Sequence, residues 1–303
     1  MARCLVTGGA GFIGSHLVDA LLADGETVRV LDDFSSGNLA NLPKDRIELI
    51  RGSVADAEMV RDAVAGCDVV YHLAAIASVT KSVEAPVTTH EVCATGTLHV
   101  LDEARKAGVR RVIYAGSSSA YGDQPGDARR ENDLLMPLSP YAAAKLAGEH
   151  YCSAFTSAYG LETVRLRFFN VYGPRQDAKS PYSGVIAIFS DMMKRGQTPT
   201  IFGDGKQARD FIYVADVVTA IRLAAGAKKA SGQVYNIGTG QSITVLDLVR
   251  TLNEILKTKI QPIHAAPRAG DVRISQADIR LAREELNFEP GVSFHDGLTR
   301  TLK

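Results

Sequence analysis

Residues 3–14 read RCLVTGGAGFIG, a short apolar run that breaks into glycines and then starts a helical pattern. Arg3–Thr7 predicts a buried strand, and Phe12–Ala23 repeats its apolar residues at helical spacing. Between them Gly8, Gly11 and Gly14 form a Gly-x-x-Gly-x-x-Gly array. Glycines at such a turn let the backbone approach a pyrophosphate, and the helix N-terminus offers N–H donors and a positive dipole end. Strand, glycine turn and helix in this order predict a dinucleotide cradle, with Phe12 and Ile13 on its first helical turn.

Working outward, residues 27–31 (TVRVL) form a β-branched strand that ends at Asp32. A carboxylate there accepts from the adenosine ribose hydroxyls and repels a 2′-phosphate. Asp33 follows, and the sequence has no arginine beside the pair, so NAD is expected rather than NADP. Strands are expected at 47–50, 68–72, 111–116 and 162–168, with helices at 56–65, 87–107 and 140–159. Alternating strands and helices predict an α/β fold, a Rossmann-type doubly wound parallel sheet covered on both faces. After Asn170 the periodicity loosens and glycine and proline cluster. We therefore read 1–169 as a dinucleotide-binding domain and 170–303 as a smaller C-terminal substrate-binding lobe, the chain returning to the first part around 209–240.

Composition narrows the function. The 303 residues carry 34 Lys+Arg against 34 Asp+Glu, so no basic footprint for nucleic acid or an anionic membrane is visible. No apolar run reaches the roughly 18 residues of a spanning helix, and the first residues do not read as a signal peptide. Cys4, Cys67, Cys93 and Cys152 lie far apart with no Cys-x-x-Cys pair, so neither a zinc site nor a disulfide framework is expected and a cytoplasmic location is the default. The histidines, His16 and His72 included, fall in no metal-ligand spacing.

The chemistry is expected where two short segments meet. Residues 139–145 read SPYAAAK, which sets Tyr141 and Lys145 one turn apart on a helix, and the strand at 111–116 runs into SSSAYG at 117–122. Ligands of open α/β sheets sit at the carboxyl ends of strands, so these serines, the phenol and the ammonium are expected around one nicotinamide. A free tyrosine titrates near pH ~10, so acting as a base near neutrality requires lowering it by roughly three units. Lys145 and an oxidised nicotinamide ring both favour the phenolate.

At this point the chain resembles the extended short-chain dehydrogenase/reductases, in their NAD-dependent epimerase/dehydratase branch. The resemblance spans nearly the whole length. It rests on TGGAGFIGSH (7–16), LDDFSSG (31–37), YHLAA (71–75), GSSSAYG (116–122), SPYAAAK (139–145), RFFNVYGPRQ (167–176), IFGDGKQARDFIYVADV (201–217) and PRAGDVRISQAD (267–278). It implies Ser117, Tyr141 and Lys145 as the catalytic set, with Ser118 as the fallback serine. Further cofactor contacts implied are Ser53, Val54, Leu73, Ala74, Ala75 and Cys93, together with Tyr141 and Lys145 themselves. For a nucleotide-sugar substrate it implies Ser78, Ser117, Ser118, Tyr141, Asn170, Arg209, Arg268, Asp271 and Ser275.

The branch divides by reaction. Its dehydratases resemble its epimerases but carry an Asp-Glu pair where this chain has Ser118 and Ser119, and its uronate decarboxylases keep a glutamate there. Uronate epimerases tend to have Thr in place of Asn170. The resemblance therefore implies 4-epimerisation of a UDP-hexose, with the other modifying reactions, or a non-catalytic NAD sensor, as alternatives. At the position of Ser275 a large side chain confines the family's sugar pocket and a small one admits a 2-acetamido group. Three departures, Ser53 for Asp, Cys93 for Asn and Ala77 for Lys, imply looser retention of NAD. The resemblance also implies a homodimer paired through helices 87–107 and 140–159.

Overall fold

The inner strands of the N-terminal half are mainly aliphatic runs buried on both faces, whereas the edge strand Glu48–Arg51 is partly exposed. In β1 (Arg3–Thr7) Leu5 and Val6 are both fully buried yet belong to different apolar clusters, one on each side of the sheet. The structure is a computed structural model that describes residues 2–124, 126, 128–177, 184–267 and 273–303. After β1 come α1 (Phe12–Ala23), β2 (Thr27–Asp32), β3 (Glu48–Arg51), α2 (Ala57–Val64), β4 (Val69–His72), α3 (Val79–Glu84), α4 (Pro86–His90), α5 (Gly96–Lys106) and β5 (Arg111–Ser117). Then follow α6 (Pro140–Tyr159), β6 (Glu162–Phe168), β7 (Asn170–Tyr172), α7 (Val185–Lys194), β8 (Thr200–Phe202), β9 (Ala208–Arg209), β10 (Phe211–Tyr213), α8 (Val214–Gly226) and β11 (Val234–Ile237). The chain ends with β12 (Ile243–Thr244), α9 (Val245–Leu256), β13 (Ile263–Ala265), β14 (Ile274–Ser275), α10 (Arg280–Leu286) and α11 (Phe294–Thr301).

Seven strands form one parallel sheet in the order β11-β6-β5-β4-β1-β2-β3. The order reverses between β1 and β4, and in a doubly wound sheet that switch point opens a crevice at the strands' carboxyl ends. Helices α1, α8 and α10 cover one face, and α2, α5 and α6 the other. A third cluster joins Tyr172, Phe189, Leu248 and Leu298 from the C-terminal half, and Phe12 and Ile13 of α1 pack against it. The first turn after the glycines is thus shared between the sheet and the C-terminal elements.

Two features differ from the sequence expectation. Residues 87–107 do not form one regular helix: between α4 and α5 the turn Glu91–Thr95 is π-helical. Gly96 follows it against Val54, whose Cγ2 would stand 2.7 Å from a Cβ at that position. Moreover, an arginine does stand beside Asp32 in space. Arg51 of β3 is in register with it and lies over the ring of Phe34, 5.5 Å from the centroid. Among the described residues no helix is long and apolar enough to cross a membrane.

Candidate active site

The glycine cradle is enforced by sterics. Gly8 has φ of +70°, and a Cβ on it would lie 2.8 Å from the Ala74 nitrogen. A Cβ on Gly14 would collide with the carbonyl oxygen of Gly8. Gly11 caps α1 without a side chain, and no acidic residue sits in the helix's first turn, so the helix end stays open to an anion. Asp32 is 7% exposed, with one carboxylate oxygen accepting from Ala10 N and the other from Phe34 N, each at 2.8 Å. Burial raises its carboxyl above the usual value, while those N–H groups pull it back down. Each oxygen keeps a second lone pair for a ribose hydroxyl. A dinucleotide fits this donor set.

Deeper in, a chain of hydrogen bonds ties the cradle to the middle of the sheet. Ala74 N donates to Thr7 Oγ1 at 3.2 Å, and Thr7 Oγ1 stands 2.7 Å from His72 Nδ1. His72 Nε2 lies 2.9 Å from Thr97 Oγ1, whose hydroxyl donates to Cys93 O at 2.6 Å. Because the Thr97 proton is committed to Cys93, Nε2 must be the donor and Nδ1 the acceptor, which fixes the neutral tautomer. Burial holds His72 down at about 3, with Lys145 acting in the same direction. Ile76 N donates to the Cys93 thiol at 3.4 Å. The predicted contacts Leu73, Ala74 and Ala75 therefore lie on one braced segment, which Cys93 meets from the π-helical turn.

The other cofactor positions lie at the neighbouring strand ends. Ser53 Oγ accepts from Ala55 N at 3.2 Å, and Val54 is buried with its carbonyl 3.2 Å from His99 Nδ1. Ser78 caps α3, its hydroxyl accepting from Lys81 N at 3.1 Å.

Helix α6 begins as its sequence dictates. Ser139 Oγ accepts from Ala142 N, Pro140 fills the first turn, and Gly160 closes the helix at φ +72°. This brings Tyr141 to the mouth of β5, where it hydrogen-bonds Ser117. Ser117 Oγ also lies 2.8 Å from Ser119 Oγ, and Ser118 opens the 3-10 turn Ser118–Tyr121. Burial pushes the Tyr141 phenol up to about 12, against the downward pull of the Ser117 hydrogen bond. Lys145 is 2% exposed, and burial lowers its ammonium from the usual lysine value. Its Nζ stands 4.2 Å from the centroid of the Tyr114 ring. The ammonium thus rests on an aromatic face.

On the C-terminal side, β7 pairs with β10 so that Asn170 N and Asn170 Nδ2 both donate to Asp210 O, at 3.0 and 3.1 Å. Strand β14 pairs with β9, setting Ser275 in register with Arg209. Asn170, Arg209 and Ser275 therefore meet around Asp210. Arg268 and Asp271 lie outside the described residues.

Sequence reasoning missed Asp210 itself, which is fully buried. Its carboxylate accepts from Thr239 N, Thr239 Oγ1, Gly240 N and Ala277 N. It also missed the pair Glu149–Arg167, 2% and 4% exposed, joined through Nε and Nη2 at 2.9–3.2 Å. Arg167 Nη1 reaches Tyr121 OH at 2.8 Å, and that hydroxyl donates to Asn236 Oδ1 at 2.6 Å. The signal was present, since RLRFF and ARDFIY put charges inside apolar strands.

Comparison with known proteins gives consistent results. The sequence model of the NAD dependent epimerase/dehydratase family matches residues 4–238. A UDP-glucose 4-epimerase of Mycolicibacterium smegmatis is 41% identical, covering 99% of this chain and 97% of that protein. The crystal structure of a Thermotoga maritima UDP-glucose 4-epimerase with UDP-glucose superposes with a TM-score of 0.95 at 41% identity, over 99% of this chain and 97% of that one. A Methanobrevibacter ruminantium UDP-N-acetylglucosamine 4-epimerase, in complex with UDP-N-acetylmuramic acid, gives 0.95 at 37% identity with the same coverage. A uronate decarboxylase and a dTDP-glucose 4,6-dehydratase match at 32% and 35% identity.

Proposed function

Because this chain belongs to the NAD dependent epimerase/dehydratase family of nucleotide-sugar enzymes, we propose that it is a UDP-hexose 4-epimerase working through a transient 4-keto sugar. The observation that carries this reading is the make-up of the turn after β5. Ser117, Ser118 and Ser119 offer only hydroxyls there, whereas expelling water from a sugar requires an acid and a base at the leaving group.

In this reading Tyr141 takes the proton of the 4-hydroxyl, with Ser117 bridging between the two oxygens. The Ser117–Tyr141 hydrogen bond favours Ser117 over Ser118 as the catalytic serine. NAD, when bound in the glycine cradle, supplies the hydride acceptor for C4 and a positive charge beside the phenol. That charge offsets the burial that holds Tyr141 at about 12. The start of α6 adds the positive end of its dipole. Tyr141 then returns its proton after the keto sugar has turned its other face.

The diphosphate is held by the Arg209 guanidinium and Asn170, with Arg268 and Asp271 completing the set. Ser275, beside Arg209 in the β9–β14 pair, leaves room for a 2-acetamido group, so UDP-N-acetylglucosamine and UDP-N-acetylgalactosamine are accepted beside the plain hexoses. Residues 1–169 bind the dinucleotide and 170–303 the substrate, with the segment around 209–240 serving both. Two copies pair through α5 and α6, where Leu98, Tyr151 and Tyr159 line an open cleft. A cytoplasmic enzyme fits four free, buried cysteines.

The test is to incubate the purified protein with each UDP-hexose without added NAD. Approach of the two 4-epimers to equilibrium from either side is expected. A 6-deoxy-4-keto product, or carbon dioxide from a uronate, replaces this reading with dehydration or decarboxylation.

A further inference from the structure

A lysine 2% exposed must have its charge balanced by something. The charged and titratable groups facing Lys145 come from three directions: His72 on β4, Cys93 on the π-helical turn, and Glu149 and Cys152 further along α6. None of them pairs with it. The Glu149 carboxylate is taken up by Arg167 through three hydrogen bonds. Burial raises both thiols above their usual value and keeps them neutral, and His72 is held neutral by burial.

Among the described residues, the contact that remains is the aromatic face of Tyr114. Its ring is completely buried and lies 4.2 Å from Lys145 Nζ. The ring cannot swing away. Its hydroxyl donates to Lys145 O at 2.9 Å, so strand β5 is fastened to the turn of α6 that bears the lysine. Gly148 makes the notch that admits it, since a Cβ there would lie 2.7 Å from Tyr114 Cζ. On its other side stands His72, in register on β4, with ring centroids 5.8 Å apart. His72 is itself fixed by Thr7 and Thr97.

We propose that Tyr114 is a positioning residue for the reaction, whose ring face holds the Lys145 ammonium in place within the dry interior behind Tyr141. The inference rests on the expectation, taken from the family resemblance and made part of the proposed reaction here, that the Lys145 charge favours the Tyr141 phenolate. An aromatic face attracts a cation through its quadrupole, most strongly where water is excluded. The face therefore opposes the burial that lowers Lys145 and keeps a positive charge available to the phenolate.

The sign follows directly. The ring favours the charged form of Lys145, so weakening the ring lets the lysine lose its proton at lower pH. The alkaline limb of kcat then moves toward neutrality. The experiment replaces Tyr114 by phenylalanine and then by mono-, di- and trifluorophenylalanine in the full-length protein. These keep the ring's shape while draining its negative face, so identical melting curves across the series are expected. Lysine 13Cε shifts, with Lys145 assigned through Lys145→Arg, report its titration independently of turnover. Successive fluorination should lower the Lys145 titration, and the alkaline limb with it, by a total of about 0.5–1.5 pH units. A series flat in both readouts overturns the inference. Lys145→Met separates it from the reading beneath: full turnover in that variant removes the role of Lys145, whereas an inactive Lys145→Met with a flat series removes only Tyr114.

Discussion

Tyr141 gathers opposed influences within a few ångströms. Burial pushes its phenol up to about 12, and the Ser117 hydrogen bond and the helix start draw it down. A group that moves a proton in the rate-determining step contributes about 10²–10⁴ to the rate. Tyr141→Phe should therefore lower kcat by that factor while melting temperature and NAD content stay put, as measured by epimer equilibration and cofactor absorbance. Turnover left intact in the folded variant would remove Tyr141 from the reaction. Ser53 allows a milder test. Its hydroxyl accepts from Ala55 N, a bond that an aspartate makes equally well. Ser53→Asp should fold unchanged and, by offering a carboxylate toward the adenine amine, slow the loss of NAD on exhaustive dialysis. If both proteins stay fully charged, the looser retention expected from the sequence does not exist.

The element that matters most is α6, because one face of it carries Tyr141, Lys145 and Glu149 at successive turns. Gly116 of β5 makes room for the last of these, since a Cβ there would come 2.8 Å from Glu149 Oε1. Breaking a buried ion pair strands a charge at a cost of about 3–5 kcal/mol, whereas removing both partners costs much less. Glu149→Leu and Arg167→Met should each lose about that much stability in urea unfolding, and the double variant should regain most of it. Equal, additive losses would mean that the pair is not coupled. Here the reach of the sequence also shows. The glycine turn, the Ser-Pro start and the Gly160 end of α6 are written in local residue types, so β1, α1, α6 and β6 begin and end where expected. The pairing of Glu149 with Arg167 is written nowhere locally, since RLRFF marks a charge within an apolar strand but not which distant carboxylate meets it. The π-helical turn is equally hidden, because it arises from how α4 and α5 settle on their neighbours. The short pairs β7–β10 and β9–β14 join segments 41 and 66 residues apart at their first paired residues, beyond the reach of periodicity.

For the molecule as a whole, this design sets a limit on the acid side. His72 is 1% exposed, and burial holds its ring down at about 3, against an ordinary histidine value of 6.5. Below pH 6.5 the unfolded chain therefore takes up a proton there that the folded chain refuses, and stability falls with pH until about 3. At 1.36 kcal/mol per unit, this one ring removes about 2 kcal/mol between pH 6.5 and 5. His16, also lowered by burial, acts in the same direction. The carboxyls of Asp32, Asp210 and the half-buried Glu131 have the opposite sign, because desolvation raises their folded values and the cost of keeping them ionised is relieved as pH falls through those values. The carboxyls are the same in a variant at His72, so a difference in slope between the two proteins reports that ring alone. His72→Gln keeps a donor and an acceptor for Thr97 and Thr7 but carries no titrating group. Urea unfolding at a series of pH values from 7.5 to 5 should show a shallower decline for the variant, whatever its stability at pH 7.5. Parallel declines would mean that His72 is already charged in the folded protein, and the proton ordering from Thr7 through His72 to Thr97 would then be wrong.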